Sequence, residues 1–242
     1  MIPKVIYKTA PSYHETIKKI NNEIERQNPG WKVKFYNDKD CLNFLKNDFQ
    51  NDKPIFKKNV IIGYNKLIPG SYKADLWRLC ILYQYGGVYI DASSEILEPI
   101  ESFLDINKNF SIVKGAKEFT LQTAFMSSVK NHPFLKEYIS QILINIKYKI
   151  YGTSPLWPTG PRCAWAVAKK GNYLKNMELS LDSKRPEEMN GKLSFENPEV
   201  YYVCLKLGKK VIRQYSKNHG DCIKSSKKNH YHYLWKKKKI YI

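Results

Sequence analysis

Two carboxylates, an arginine and a tyrosine stand close together between positions 75 and 91. Asp75 and Arg78 are three residues apart, the spacing at which side chains of one helix are neighbours. Tyr89 and Asp91 follow after the pair Gly86-Gly87. Carboxylates accept hydrogen bonds from ribose and hexose hydroxyls, whereas arginine offsets phosphate charge. If they met in one cleft, these four side chains would suit a sugar nucleotide.

The glycine pair decides whether these side chains can meet. Residues 71–85 are rich in apolar side chains and predict a helix, which Gly86 can end in a left-handed conformation. Residues 88–90 then predict a strand that delivers Asp91 at its carboxyl end, where open α/β sheets bind ligands. The alternative is a surface ion pair between Asp75 and Arg78, worth roughly a few tenths of a kcal/mol.

The first fifty residues predict a β-α-β-α opening. Ser12 and Glu15 have the spacing of a capping box, the sequence Asn-Pro-Gly at 28–30 stops a helix, and Asn37 can cap another. Apolar and lysine residues alternate at the second strand. The predicted elements are strand 4–7, helix 12–27, strand 31–36 and a short helix 37–46.

The rest of the chain also predicts alternating helices and strands, but the type of element is less certain from the sequence in the final third. Residues 47–70 are polar and contain two prolines, which predicts irregular or short helical structure without a domain boundary. The further predicted elements are strands 110–113 and 121–126, helices 132–148 and 162–169, a helix or strand at 199–207, a strand at 210–214 and a Lys-rich tail at 222–242.

Composition predicts a single domain with a large core. The chain has 242 residues, which is near the upper end of what one hydrophobic core supports. Apolar residues make up 43% and aromatic residues 14%, including 18 Tyr, so global disorder is excluded. The five cysteines are scattered without C-x-x-C spacing, which favours neither a disulfide framework nor a zinc site and predicts a reducing compartment.

No apolar run reaches the roughly 20 residues of a membrane span, and residues 1–8 do not resemble a signal peptide. These patterns predict a soluble, cytoplasmic protein. The formal net charge of +19 predicts attraction to an anionic partner, such as a phosphorylated substrate, nucleic acid or a membrane surface with which the protein associates peripherally. A merely solvated basic surface is an equally open interpretation.

Several motifs in order resemble one known family. The sequence Ile-Pro-Lys-Val-Ile-Tyr-Lys-Thr at 2–9 is followed by Asn-Pro-Gly at 28–30, Ala-Asp-x-x-Arg at 74–78, Gly-Gly-Val-Tyr-Ile-Asp at 86–91 and Thr-Gly-Pro at 159–161. This series resembles the glycosyltransferases with a D-x-D sugar-binding motif, which include capsular-polysaccharide-synthesis proteins and Och-type mannosyltransferases. The resemblance covers most of residues 2–165.

The resemblance implies a GT-A-type nucleotide-sugar-binding fold, with a mixed, mainly parallel sheet flanked by helices. It implies one glycosyltransferase domain over 1–242, with a donor-binding core at about 1–165 and a C-terminal lid or tail at about 199–242. The implied reaction moves a hexose from a UDP- or GDP-sugar to a glycan or other acceptor, with retention of configuration, in the biosynthesis of polysaccharides such as capsule.

The resemblance also implies roles for individual residues. Asp75 and Arg78 would hold the sugar and ribose hydroxyls, Tyr89 would pack on the nucleotide, and Asp91 would be the first carboxylate of the D-x-D motif. Four further residues are implied to bind donor or metal: Tyr7, Thr9, His232 and Trp235. For a lone histidine such as His232, a surface or core role is the alternative.

The motif departs from the family at its second carboxylate, because it reads Asp91-Ala92-Ser93. A hydroxyl is a weaker ligand than a carboxylate for the Mn²⁺ or Mg²⁺ that the resemblance implies. The candidate metal ligands are Asp91, Ser93 and His232, with Ser93 or Glu95 acting through a water molecule, and basic residues can share the neutralisation of the phosphates. Two alternatives to a transferase stay open: a nucleotide-sugar-binding pseudoenzyme, suggested by Ser93, and a basic nucleic-acid-binding protein, which the even spread of lysine disfavours.

Overall fold

Strands and helices alternate along the chain, as the apolar patterning predicts. A computed structural model describes residues 1–50, 54–115, 117–175, 177, 181–184, 200–214 and 230–242. The helices are α1 (Glu15–Gln27), α2 (Asp38–Asn43), α3 (Pro54–Lys66), α4 (Gly70–Tyr85), α5 (Ile100–Phe103), α6 (Pro133–Lys147), α7 (Pro161–Lys170) and α8 (Tyr231–Lys236). The strands are β1 (Val5–Thr9), β2 (Lys32–Tyr36), β3 (Gly87–Ile90), β4 (Ser94–Ile96), β5 (Phe110–Lys114), β6 (Leu121–Ser128), β7 (Leu181–Lys184), β8 (Val200–Cys204) and β9 (Lys209–Gln214).

The described strands form one mixed sheet in the order β2-β1-β3-β6-β5-β7-β8-β9-β4. This confirms the α/β class and the mixed sheet with flanking helices. Parallel pairing is confined to β1 with β2, β1 with β3, and β5 with β7. It prevails only at the β2-β1-β3 end of the sheet, because β5–β6 and β8–β9 are joined by short connections that impose antiparallel pairing.

The two faces of the sheet carry separate apolar clusters. One cluster includes side chains of α3, α4, α6 and α7, and the other includes side chains of α1 and α5. Alternation along β3 sends Val88 and Ile90 to the α1 side and Tyr89 to the α4 side. Asp91 has the same parity as Tyr89, so its side chain is directed towards α4.

The capping prediction is wrong at α1 and confirmed at α2. Helix α1 begins at Glu15 behind His14, whose side chain makes no capping hydrogen bond, and the Ser12 hydroxyl instead contacts His14 Nε2 at 2.7 Å. At α2 the Asn37 side chain accepts hydrogen bonds from two backbone amides, and Asp40 accepts one from the Asn37 amide. The spacing alone therefore does not identify which hydroxyl caps.

Of the two alternatives predicted over 47–70, irregular or short helical structure, the helical one holds between 54 and 66, where α3 forms a regular helix of 13 residues. Its buried residues, Val60, Gly63 and Tyr64, have helical spacing. Ile55 and Ile62 are exposed on the same helix, at 59% and 41%. Apolar side chains on both sides hide the helical period in the sequence.

The final third is a set of strands followed by a short helix. Residues 200–204 are a strand, which decides between the two predicted alternatives, and β9 confirms the predicted strand at 210–214. Part of the predicted Lys-rich tail, with Cys222, lies outside the described residues. The other four cysteines are buried free thiols. None of the described helices combines the length and the apolarity needed to cross a membrane.

The turn between α4 and β3 depends on two glycines with positive φ. Gly86 ends α4 with φ +69°, and Gly87 begins β3 with φ +105°. A Cβ atom on Gly87 would lie 2.7 Å from the Val5 carbonyl oxygen and 3.0 Å from the Tyr7 ring. Only glycine therefore lets β3 lie against β1 at this point.

Gly87→Ala is expected to lower the free energy of unfolding by about 2 kcal/mol, because it adds backbone strain and pushes β1 away from β3. The measurement is urea unfolding followed by circular dichroism. Gly70→Ala is the control, since a methyl group added to Gly70, at the start of α4, would meet nothing within 4 Å. Equal unfolding midpoints for the two variants would contradict the packing described.

Candidate functional site

The candidate site lies where the polar side of α4 meets the carboxyl end of β3. Arg78 is buried in α4, with only 6% of its surface exposed. Its Nη2 lies 3.2 Å from Asp75 Oδ1, and its Nη1 lies 3.3 Å from Asp91 Oδ1. Its guanidinium carbon lies 4.3 Å from the centre of the Tyr89 ring. The structure thus brings the four residues with the most informative spacing into one cluster, and Asp75–Arg78 is not a surface pair.

Strand β6 supplies a neutral acceptor to the same guanidinium. Arg78 Nη1 donates to the Thr123 carbonyl oxygen at 2.8 Å, and Arg78 Nε donates to the Ala74 carbonyl oxygen at 3.2 Å. Hydrogen bonds from a charged donor in a buried place are stronger than neutral ones. Arg78 is therefore held in one orientation by groups from α4, β3 and β6.

Asp91 is held on both of its carboxylate oxygens. Tyr89 donates its hydroxyl hydrogen to Asp91 Oδ1 at 2.9 Å, and Gln214 Nε2 donates to Asp91 Oδ2 at 3.0 Å. The Tyr202 hydroxyl donates in turn to Gln214 Oε1 at 3.0 Å. The Asp91 side chain keeps 25% of its surface exposed, against 13% for Asp75. Asp91 is thus the more accessible of the two carboxylates.

Asp75 faces the Thr-Gly-Pro turn that precedes α7. The Thr159 hydroxyl donates to Asp75 Oδ2 at 2.7 Å, and the Tyr138 hydroxyl secures the turn by donating to the Thr159 and Gly160 carbonyl oxygens. Burial raises the pKa of Asp75 to about 6, although Arg78 and Thr159 both act to lower it. The sequence indicates the turn but not its contact with Asp75.

Lys8 is a functional candidate that the sequence does not single out. Its side chain is fully buried in β1, and its Nζ donates to the Ser94 carbonyl oxygen at 3.0 Å. Burial lowers the pKa of Lys8 to about 7, while Asp91 and Glu95 act in the opposite direction. The signal in the sequence is slight: Lys8 follows the apolar run at 5–7, which predicts a strand buried on both faces, but nothing there indicates that the lysine itself is buried.

The resemblance implies donor contacts for Tyr89, Tyr7 and Thr9, and each of them also has contacts within the protein. Tyr89 is only 1% exposed, because strand alternation turns it beneath α4, so its ring supports Arg78 and is not a free platform for a base. Tyr7 is 3% exposed and pairs in the sheet with Tyr89. Thr9 donates its hydroxyl to the Tyr36 carbonyl oxygen at 2.8 Å and contacts Cys41 Sγ at 3.2 Å.

Asp91, Ser93 and His232 do not fit the implied metal site as they are arranged. Each Asp91 oxygen already accepts one hydrogen bond, from Tyr89 or Gln214, the Arg78 cation lies 3.3 Å from Oδ1, and Ser93 is only 5% exposed. His232 lies at the surface on α8, with its ring 5.6 Å from that of His230. Among the residues that the structure describes, no group of three His, Cys, Asp or Glu side chains could hold a metal ion. The implied ligand set is therefore not supported.

Helix α8 brings the C-terminal segment next to α4. The Tyr231 ring lies 5.7 Å from the Tyr72 ring, and Trp235 Nε1 donates to the Tyr151 carbonyl oxygen at 2.9 Å. Burial raises the pKa of Tyr231 to about 12, and the charges of Asp75 and Asp91 act in the same direction. Tyr231, which no sequence motif indicates, is thus a residue of α8 close enough to both carboxylates to respond to their charge.

Comparisons with known proteins agree with the resemblance in the sequence. Residues 14–110 match the family model described as a glycosyltransferase sugar-binding region containing a DXD motif. An uncharacterized glycosyltransferase of Acanthamoeba polyphaga mimivirus is 30% identical over 145 residues, which cover 55% of this chain and 52% of the relative. Inositol phosphoceramide mannosyltransferase 1 of Schizosaccharomyces pombe is 27% identical over 124 residues, which cover 50% of this chain and 36% of the relative.

The chain therefore spans about half, or less, of the length of these curated relatives. Among solved structures, the PaToxG glycosyltransferase has a TM-score of 0.54 and 18% identity, with 70% of each chain covered. At this identity the likeness concerns the fold alone. It confirms that the mixed sheet and its helices are arranged as in a glycosyltransferase domain.

The raised pKa of Asp75 predicts a pH-dependent contact with Arg78. We expect the carboxylate to be protonated as the pH falls through about 6, which weakens its ion pair with Arg78. Because this pKa lies above the ordinary value of 3.8, the folded state binds the Asp75 proton more tightly than the unfolded chain does; the stability added by that proton is fully present below pH 3.8 and is lost as the pH rises through about 6. The measurement is ¹³C NMR titration of the Asp side chains, assigned with Asp75→Asn.

Thr159→Val is the matched variant for that titration. It removes the hydroxyl that donates to Asp75 Oδ2, so the pKa of Asp75 should rise further. A midpoint near the ordinary value of 3.8 in the wild-type protein, or an unchanged midpoint in Thr159→Val, would show that burial and this hydrogen bond do not control the carboxylate.

Proposed function

We propose that this chain transfers a hexose from a UDP- or GDP-sugar to a glycan or other glycoconjugate acceptor, because residues 14–110 match the model of a glycosyltransferase sugar-binding region containing a DXD motif. The observation that carries this function is the cluster of Asp75, Arg78 and Asp91 at the end of β3. Two carboxylates and a buried guanidinium form a set of acceptors and donors that matches sugar hydroxyls and phosphate.

The two carboxylates have different parts in this function. Asp91, the more exposed of them, accepts hydrogen bonds from hydroxyls of the donor sugar at the strand end. Asp75, nearly buried between Arg78 and Thr159, orients the guanidinium and accepts from the donor at the edge of the cluster. Tyr89 supports both by packing under Arg78 and donating to Asp91. Groups held in place before the reaction need no reorganisation during it.

Transfer breaks the bond between the anomeric carbon and the phosphate oxygen, and its electron pair moves onto the departing nucleoside diphosphate. The acceptor hydroxyl oxygen bonds to the same carbon, and its proton passes to the departing diphosphate. The negative charge that grows on the diphosphate is stabilised by fixed cations in a water-poor site. Retention of configuration, which the resemblance implies, is part of this proposal.

Members of this family typically use a nucleotide-sugar donor and a metal, and the resemblance implies Mn²⁺ or Mg²⁺ here. Because Asp91, Ser93 and His232 do not fit such an ion as they are arranged, the proposed transfer is assigned to the side chains of the protein alone.

Tyr231 and Trp235 support a further part of the proposal, in which α8 and its surroundings close over the donor as a lid. In the same way we propose one domain over 1–242, with a donor-binding core at about 1–165.

The proposed setting is a cytoplasmic enzyme of polysaccharide biosynthesis, supported by the resemblance to capsular-synthesis proteins. A basic surface with a net charge of +19 supports an anionic acceptor or a membrane surface as the place of action. One relative is named as an inositol phosphoceramide mannosyltransferase, so GDP-mannose and an inositol phosphoceramide belong among the first substrates tried.

Asp91→Asn is expected to lower turnover at least about 100-fold while leaving the protein folded, because the change removes the accessible negative charge but keeps the side-chain shape. The measurement is release of nucleoside diphosphate from a panel of UDP- and GDP-sugars, with and without candidate acceptors. Asp38→Asn is the control, since Asp38 is an exposed carboxylate in the first turn of α2 that lies outside the sequence motif, and this variant should turn over like the wild type.

Three results are informative. Release from one donor, lost in Asp91→Asn and kept in Asp38→Asn, supports the function and names the sugar. A folded Asp91→Asn protein with wild-type turnover would refute the role given to Asp91. Binding of a nucleotide sugar without release from any donor, with all acceptors tried, would favour the pseudoenzyme that Ser93 suggests.

A further inference from the structure

Lys8 is a charged group beside the site that the proposed function does not yet use. Its side chain is fully buried, and the hydrogen bond from Nζ to the Ser94 carbonyl oxygen joins β1 to the segment that follows Asp91. Lysine is almost never fully buried unless it is paired, since removing an ammonium group from water is costly. A cation kept in this place at a cost in stability therefore calls for a function.

The acidic side chains near Lys8 already form ion pairs with arginines. Asp75 and Asp91 share Arg78, and Glu95 accepts from Arg213 at 2.6 Å. Burial lowers the pKa of Lys8 to about 7, and a bound anion would favour its protonated form, which adds positive charge on the inner side of the Asp91–Ser94 segment. In a site with a carboxylate at position 93, that carboxylate would offset this charge, but Ser93 is neutral.

The oxygen atoms near this segment are also engaged. Asp91 accepts on Oδ1 from Tyr89 and on Oδ2 from Gln214, and Glu95 Oε2 accepts from two nitrogens of Arg213. A divalent cation at Asp91 would share the carboxylate with these donors and with the Arg78 guanidinium at 3.3 Å, and would gain only a hydroxyl at Ser93. The same arrangement leaves the segment more positive than one with two carboxylates, which favours an anionic ligand directly.

We infer that this site binds the diphosphate of its donor without a resident divalent cation, and that Lys8 supplies, from beneath the Asp91–Ser94 segment, positive charge that a metal supplies at a motif with two carboxylates. The inference rests on the proposed function. Lys8 acts through the segment that it holds and through its field, so it is a positioning residue and does not touch the sugar.

The test is calorimetric titration of UDP and of GDP into the protein, in EDTA and again in Mn²⁺ or Mg²⁺, together with donor turnover under the same conditions. In the wild type, EDTA should change neither the dissociation constant nor the turnover by more than about twofold. Lys8→Gln should raise the dissociation constant at least about tenfold, because it keeps a donor for the Ser94 carbonyl but removes the charge. Lys4→Gln is the matched control, with the same charge change at an exposed lysine just before β1.

A purely structural role for Lys8 predicts different results for the unfolding midpoint and the nucleotide affinity. It predicts a lower unfolding midpoint in Lys8→Met and Lys8→Gln, with normal nucleotide affinity in the molecules that fold. If Lys8 instead supplies charge to the diphosphate, both variants should bind nucleotide weakly. Their unfolding midpoints should be unchanged or higher, because a buried charge has been removed. If Lys8→Met does not fold, Lys8→Gln still decides between the two.

The remaining results separate this inference from the proposed function. Wild-type binding and turnover that disappear in EDTA and return with Mn²⁺ or Mg²⁺ would overturn the inference and leave a metal-assisted transferase. Wild-type affinity in Lys8→Gln would overturn the part given to Lys8. Absence of both nucleotide binding and turnover under every condition would overturn the proposed function as well.

Discussion

The burial of one guanidinium is the constraint on which the site and much of its surroundings depend. Arg78 carries a charge that cannot be shed at any physiological pH, and it lies almost entirely out of water. Such a group is tolerated only with oppositely charged and polar partners in good geometry, and removing one partner costs about 3–5 kcal/mol. Asp75 from α4, Asp91 after β3 and the Thr123 carbonyl from β6 meet this need together.

The local part of this arrangement can be predicted from the sequence. Helical spacing places Asp75 beside Arg78, the glycine pair turns the chain, and strand parity directs Tyr89 and Asp91 to the same side. These relations involve residues that are close in sequence and backbone geometry that is well defined, so residue types and spacing are enough to predict them. The likeness to known glycosyltransferases covers the same stretch, because residues 14–110 include all four side chains.

The parts that cannot be predicted depend on contacts between distant segments. Gln214 reaches Asp91 only because β9 lies where the sheet order places it, and Thr159 reaches Asp75 from a turn that α6 holds through Tyr138. Nothing in the sequence of β9 or of that turn indicates which carboxylate its side chain will contact. Lys8 escapes prediction for another reason, since a single lysine in a short strand normally faces solvent.

These distant contacts change the meaning of the motif itself. The sequence shows only that Ser93 replaces a carboxylate, which by itself would leave a weak metal site. The structure adds that Asp91 is already engaged on both oxygens and that a lysine lies behind the segment. In a medium of low dielectric constant, fixed cations act on a diphosphate more strongly than they would in water. Loss of the second carboxylate and the presence of Lys8 therefore act in one direction, because each makes the strand end more favourable for an anion and less favourable for a cation.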